Sequence, residues 1–163
     1  MALGSTYEMD DCAIAQTLDV VGERWTLLII SYVFFGLCRY SDIRKRLGIS
    51  PAVLTQRLNR LVEEGVIARV PGPGAHDEYE LTGKGERLWP VVSGLVAWGN
   101  ENYLDPKYRQ DFTHYQCGTV LGDAGYCAHC KLVPPARDVV RQPKPVDLEP
   151  VTPIRQPRRL ITA

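Results

Sequence analysis

The chain has 163 residues and a mass of 18.3 kDa, with 45% hydrophobic and 23% charged residues. That balance excludes a disordered or fibrous polymer and leaves room for one ordinary domain plus an appendage. Nineteen bases cancel nineteen acids, yet residues 39–69 carry seven bases against three acids, a basic block in an otherwise acidic N-terminal two-thirds.

The N-terminus, with neither a basic stretch nor an apolar one, shows no signal peptide, and the first seven residues read as frayed. Asp10 and Asp11 are candidate caps for a first helix in which Ile14, Leu18 and Val21 recur at helical spacing, stopped by Gly22. A second helix over residues 23–35 is apolar nearly all round and belongs in a core. The near-apolar run of residues 27–38 is too short to span a bilayer, so no membrane association is expected. Five cysteines, an odd number, then sit by default in a reducing cytoplasm.

Ser41 is the expected N-cap of a short helix ended by Gly48, and Ser50-Pro51 opens the next. That second helix, running to Gly65, turns Leu54, Leu58 and Leu61 inward. Two short helices joined by the Gly48-Ile49 turn make a helix-turn-helix. Residues 66–70 and 78–81 then read as a hairpin with a loop of about seven residues. A further helix follows, with Leu88, Val91, Val92, Leu95, Trp98 and Tyr103 as its apolar stripe and Pro90 either in its first turn or at a bend. The fold class is therefore mainly α with a small β-hairpin, a winged helix-turn-helix over residues 8–104, with apolar helices at both ends of the domain.

With the leucines inward, Ala52, Val53, Gln56, Asn59 and Arg60 face the open side of the second helix, flanked by Thr55 and Arg57 and preceded by Ser50. The N-terminal part of such a helix enters the major groove of double-stranded DNA. There Gln and Asn pair with adenine, Arg with guanine, and small side chains meet the thymine methyl. Ser41, Arg44 and Lys45 on the preceding helix are placed for phosphates, which set register and not sequence. The wing loop has no Lys or Arg; only Arg69 at its base and His76 are candidate phosphate contacts, and a plain solvent loop is the competing reading.

The residues quoted carry a specific resemblance. Cys12, Gly22-x-Arg24-Trp25-Thr26, Phe35-Gly36, Arg39-Tyr40-Ser41-Asp42-Ile43, Ile49-Ser50, Leu54-Thr55-Gln56-Arg57-Leu58 and Tyr79-x-Leu81-Thr82-x-x-Gly85 stand in the order found in HxlR-type winged helix-turn-helix transcriptional regulators, a MarR-like group. The resemblance covers roughly residues 10–103. It implies a cytoplasmic homodimer on a short palindromic operator, joined through its first helix and the long helix after the wing. It further implies a regulator that more often represses than activates, and that is no enzyme. It also implies that Cys12 is a candidate redox or electrophile sensor, set against the alternative of an inert buried thiol. Trp25, Tyr32, Phe34, Phe35, Trp89 and Trp98 are either core or the lining of a pocket for a small-molecule effector.

Past residue 105 the chain changes character. His114, Cys117, Cys127 and Cys130, spaced x2, x9 and x2, are four ligands suited to a closed tetrahedral zinc site, with His129 the alternative to His114. A segment as short as residues 113–131 cannot bury a sizeable core, so a structural zinc is expected to fold it as a ribbon-like appendage. Residues 132–163 hold seven of the twelve prolines, with Arg155, Arg158 and Arg159, and are expected to be extended. Two rival readings are a thiol redox protein using the Cys127/Cys130 CxxC, and a protein-interaction adaptor built on the winged helix.

Overall fold

The computed structural model describes residues 11–73 and 76–142. The expected cap Asp10, the frayed N-terminus and the arginines of the C-terminal tail lie outside the described residues. The described residues pack as two compact units, 11–33 with 38–82, and 34–37 with 83–142.

The first unit holds helices α1 (Ala13–Val21), α2 (Thr26–Phe34, except its last residue), α3 (Tyr40–Leu47) and α4 (Pro51–Glu63), then strands β1 (Ile67–Pro71) and β2 (Asp77–Leu81). Its core is built by helical spacing. Leu54, Leu58 and Leu61 on α4 are fully buried, with Ile43 from α3 and Ile29 and Ile30 from α2. Each such side chain contributes about 1.5–3 kcal/mol of transfer free energy. The turn between α3 and α4 is sharp because Gly48 takes the left-handed conformation (φ +64°) and its N–H donates to the Arg44 carbonyl. Ser50 then caps α4, its hydroxyl accepting from the Val53 N–H, with Pro51 in the first helical position.

Two expected caps are corrected. Helix α3 begins at Tyr40 with Arg39 as N-cap; Ser41 lies inside the first turn, its hydroxyl 3.3 Å from Asp42 Oδ1. Helix α1 is entered through Cys12, whose carbonyl accepts the first helical hydrogen bond from Gln16, so Asp11 precedes the cap and Cys12 is the cap, not a first-turn residue.

Strands β1 and β2 pair antiparallel with Ile67 opposite Leu81 and Pro71 opposite Asp77. The strands run further toward the tip than expected, leaving a connection of residues 72–76. The hairpin is tied back to the helices at both ends. Thr82 Oγ1 donates to the Gly65 carbonyl at 2.6 Å, and the buried Glu78 pairs with Arg39 at 3.1 Å while the Tyr79 N–H donates to the Cys38 carbonyl. Cys38 is half-buried.

The second unit contains α5 (Gly83–Glu86), α6 (Trp89–Asn102), and strands β3 (Phe112–His114) and β4 (Val139–Arg141). Pro90 sits in the first turn of α6, where its missing N–H costs nothing. Phe34, Phe35, Trp89 and Phe112 form an aromatic core, with Phe35 stacked on Phe112 at 5.2 Å and Trp89 edge-on to Phe112 at 5.2 Å. Strands β3 and β4 pair antiparallel, Phe112 opposite Arg141 and His114 opposite Val139. The ordered C-terminal module thus extends through residue 142, beyond the expected 113–131, because a strand from the proline-rich segment supplies the ladder that β3 needs. Helix α6 clusters with this module; a tight turn at Asp123–Gly125 lies against it.

Candidate nucleic-acid interface and metal cluster

On α4, Ala52, Thr55 and Gln56 are exposed, Val53 is half-buried, and Ser50 is exposed at the cap. The first turn of this helix is held from α3. The Tyr40 hydroxyl donates to the Pro51 carbonyl at 3.1 Å and lies 3.2 Å from Thr55 Oγ1. Sequence reading placed Tyr40 in a family motif without giving it this role; a phenol reaching eleven residues along the chain leaves no local signal. Beside it, Tyr40, Ser41, Arg44, Lys45, Gly48 and Ile49 line an open groove of about 460 Å³. Arg44 and Lys45 are exposed there and have no carboxylate within ion-pair range among the described residues.

Of the other basic residues of the block, Arg39, Arg57, Arg60 and Arg69 have partners, while Arg46 is exposed and has none among the described residues. Arg57 pairs with Glu23 at 2.9 Å, its side chain only 20% exposed and its Nε buried without an acceptor. The pair joins α4 to Glu23, which lies in the turn before α2. Arg60 pairs with Glu64 at 2.8 Å across one helical turn, with half of its side chain exposed. Such an i,i+4 pair is worth only about 0.3–0.5 kcal/mol, so a phosphate or a base edge can take Arg60 over. Arg69 donates to Asn59 Oδ1 and lies over the Tyr79 ring, which ties the base of the wing to α4 and occupies Asn59. His76 is exposed beside the wing tip.

In the second unit, β3 delivers His114 and the following turn delivers Cys117, whose N–H donates to the His114 carbonyl. The other pair sits on a knuckle. Cys127 N–H donates to the Leu132 carbonyl, Lys131 N–H donates back to the Cys127 carbonyl, and the Cys130 N–H points at Cys127 Sγ at 3.4 Å. Lys131 takes φ +57° to close this turn. The ligand atoms of His114, Cys117, Cys127 and Cys130 all lie within 4.8 Å of one another. Cys117 Sγ is 3.4 Å from His114 Nδ1 and 3.5 Å from Cys127 Sγ. A tetrahedron with metal–sulfur bonds of about 2.3 Å and metal–nitrogen bonds of about 2.0–2.1 Å has edges of roughly 3.4–3.8 Å, so this donor set can hold one metal ion with little movement. His129 is exposed and outside the cluster, and His114, 2% exposed, takes the fourth place.

The thiols of the cluster are unequal. Cys117 Sγ and Thr119 Oγ1 lie 3.3 Å apart; toward a thiolate the hydroxyl is the donor, and this bond lowers Cys117 to about 6. Burial, with hydrogen bonds to Cys117 and Cys127, pushes Cys130 up to about 11. Cys12 is half-buried at the N-cap of α1.

Helix-turn-helix, hairpin and the exposed first turn of α4 define a winged-helix DNA-binding protein of the MarR-like type. The model of the HxlR-like helix-turn-helix family matches residues 20–108, more than half of the chain, and the protein belongs to that family. It is 37% identical over 144 residues to an uncharacterized HTH-type transcriptional regulator of Mycobacterium tuberculosis, covering 86% of this chain and 90% of that one. A stretch of that size within 163 residues takes in the whole Cys/His cluster wherever it starts. A second regulator, YvaP of Bacillus subtilis, is 34% identical over 96 residues, covering 57% of this chain and 88% of its own. Among solved structures, PA1607, described as a candidate transcription factor, is 40% identical with a TM-score of 0.57, covering 60% of this chain and 69% of that one. The redox regulator HypR in its oxidized form is 28% identical with a TM-score of 0.53, covering 58% of this chain and all of that one. The protein is thus a transcriptional regulator of the helix-turn-helix type. No helix among the described residues is long and apolar enough to cross a membrane.

Proposed function

We propose that the protein is a cytoplasmic repressor acting as a homodimer on a palindromic operator, with a zinc ion holding its C-terminal module. The observation that carries the reading is the exposed first turn of α4, fixed by Ser50 and Tyr40, beside the unpaired cations Arg44 and Lys45. Ala52, Val53, Thr55, Gln56 and Arg60 read base edges, and Ser41, Arg44, Lys45 and Ser50 meet phosphates. Arg57 and Asn59 act through the partners that hold α4 and the wing, and Arg69 and His76 lie toward the backbone beside the wing. The four-ligand cluster supplies the soft and borderline donors that zinc prefers.

Dimerisation rests on two apolar faces. Ile14 and Leu18 on α1 are 71% and 41% exposed; Val91, Leu95 and Trp98 on α6 are 46%, 49% and 56% exposed. Large apolar side chains in such rows mark protein contacts. Two copies related by a twofold axis place their recognition helices on half-sites about one DNA turn apart. Sedimentation at micromolar concentration should give a dimer. Trp98→Asp should give a folded monomer whose operator affinity drops at least tenfold. A monomeric wild type with full operator affinity would refute the dimer.

The effector reading belongs to Cys12, by analogy with the redox regulator among the structural neighbours. A modified Cys12 strains the start of α1 and changes the spacing of the two recognition helices. Cys12→Ser should bind the operator like the wild type and lose its response to quinones, aldehydes or peroxide. A retained response would move the signal to another site, either a pocket for a small molecule or the distal cysteines.

A further inference from the structure

Two of the cluster cysteines differ in their access to solvent. Cys117 Sγ and Cys127 Sγ stand 3.5 Å apart, with Cys117 half-exposed on a turn and Cys127 fully buried behind it. That is the arrangement of an accessible attacking sulfur with a resolving sulfur at its back. The chain around Cys127 is also wired to α6. The turn Asp123–Gly125, two residues before Cys127, seats on that helix so closely that a Cβ placed on Gly125 would stand 2.5 Å from Trp89 Nε1 and 3.0 Å from Ser93 Oγ. Gly125 fits because it has no side chain and takes φ +76°.

We infer that Cys117 and Cys127 form a hydroperoxide-reactive dithiol, whose oxidation expels the metal and unseats the Asp123–Gly125 turn from α6. This rests on the zinc reading of the same site and gives it a regulatory use separate from Cys12. The Cys117 sulfur attacks the distal oxygen of a hydroperoxide; the S–O bond forms, the O–O bond breaks, and an alcohol (or water, from hydrogen peroxide) leaves after taking a proton from solvent. The Cys127 thiolate then attacks the sulfenic sulfur, the S–S bond forms, and hydroxide leaves to be protonated to water. Two thiolates lose two electrons to the peroxide, two protons are consumed, and the zinc ion, left with two ligands, passes to solution. The two sulfurs must close from 3.5 Å to about 2.05 Å, which displaces the short segment between Gly125 and Cys127.

The test uses full-length protein carrying Cys12→Ser and Cys38→Ser, so that only the three cluster thiols remain of the five cysteines. It is titrated with hydrogen peroxide while released zinc is read with a chromogenic chelator, free thiols are counted, and the disulfide is mapped by mass spectrometry. The same peptide map is made on the wild-type chain, which covers poor folding of the double variant. The expected result is one zinc released and two thiols lost per peroxide, a Cys117–Cys127 disulfide reversed by dithiothreitol, and new protease cleavage between residues 115 and 126. Zinc and all three thiols retained at tenfold excess of peroxide would overturn the inference. A disulfide mapping to Cys127–Cys130 would overturn the assignment of the pair. A chain purified without zinc would overturn the metal reading alone, and the thiol count and map would still decide the dithiol.

Discussion

Operator affinity should fall about 10³–10⁵-fold between about 50 and 200 mM salt, the loss that follows when a dimer neutralises roughly six to ten phosphates. Arg44 and Lys45 line the groove and have no ion-pair partner among the described residues, so Lys45→Ala should weaken operator and random DNA alike and lower the salt slope by about one. Gln56 is exposed on the outward face of α4 and has no side-chain bond among the described residues, so Gln56→Ala should cost about 1–3 kcal/mol at a single base position and leave random DNA unaffected. Arg60→Ala should behave like Gln56→Ala, because the Glu64 pair it leaves is weak. Arg57→Ala should instead lower stability, since it removes a largely buried side chain together with its ion pair to Glu23. Mobility shifts on a tiled operator library at two salt concentrations measure the first three, and thermal denaturation measures the fourth. Equal loss on operator and random DNA for the Gln56 and Arg60 variants would remove α4 as the base-reading element.

Removing zinc should unfold the module of residues 112–142 and leave residues 11–82 helical. The module's described buried core is little more than Phe112, Thr113, His114, Gly125, Cys127 and Pro134, far too small to fold a segment of this length alone. Zinc bound to short peptides of this kind supplies about 10–16 kcal/mol at pH 7, so metal and module should be lost together. Acid should do what a chelator does. Cys117 is lowered to about 6 in the fold, so its thiolate contributes above its ordinary value near 9 and that contribution is lost as pH falls through about 6. Cys130, raised to about 11, binds the metal only by giving up a proton, which makes affinity fall with pH across the neutral range as well. Atomic absorption should find one zinc per chain, with half-release moving to higher pH in Thr119→Ala, which loses the hydroxyl that favours the thiolate. Circular dichroism and hydrogen exchange on the stripped protein should then show protection retained in α4 and lost in β3 and β4. Loss of operator binding together with the metal would mean that α6 relays the module's state to the recognition helices.

Local features were legible in the sequence because their causes lie within a few residues. Gly48, Ser50 and Pro51 mark the turn and the helix start by backbone chemistry alone, and the i, i+4, i+7 leucines declare which face of α4 is buried. The CxxC and HxxC spacings likewise mark candidate metal donors, with His114 and His129 both open for the fourth place, and the order of family motifs states the fold. Ser41 shows where local signals compete. A serine one residue past a tyrosine looks like a cap, but Tyr40 belongs inside the helix because its hydroxyl is needed at Pro51 and Thr55.

The winged helix-turn-helix, the outward face of α4 and the three cluster cysteines could be read from the chain alone, whereas the choice of His114 over His129 came from the fold. The fold also decided how the charges are used. Seven bases in one block look equivalent in a sequence, yet Arg57 meets Glu23 thirty-four positions away, Arg39 meets Glu78, Arg60 meets Glu64 and Arg69 meets Asn59, while Arg44, Lys45 and Arg46 have no partner among the described residues. It also decided that residues 139–141 close the module against β3 and that α6 is packed by the cluster's own turn. Periodicity and caps act through bonds between near neighbours along the chain. The choice of a distant partner depends on where the packed elements bring two side chains, and no spacing along the chain encodes that.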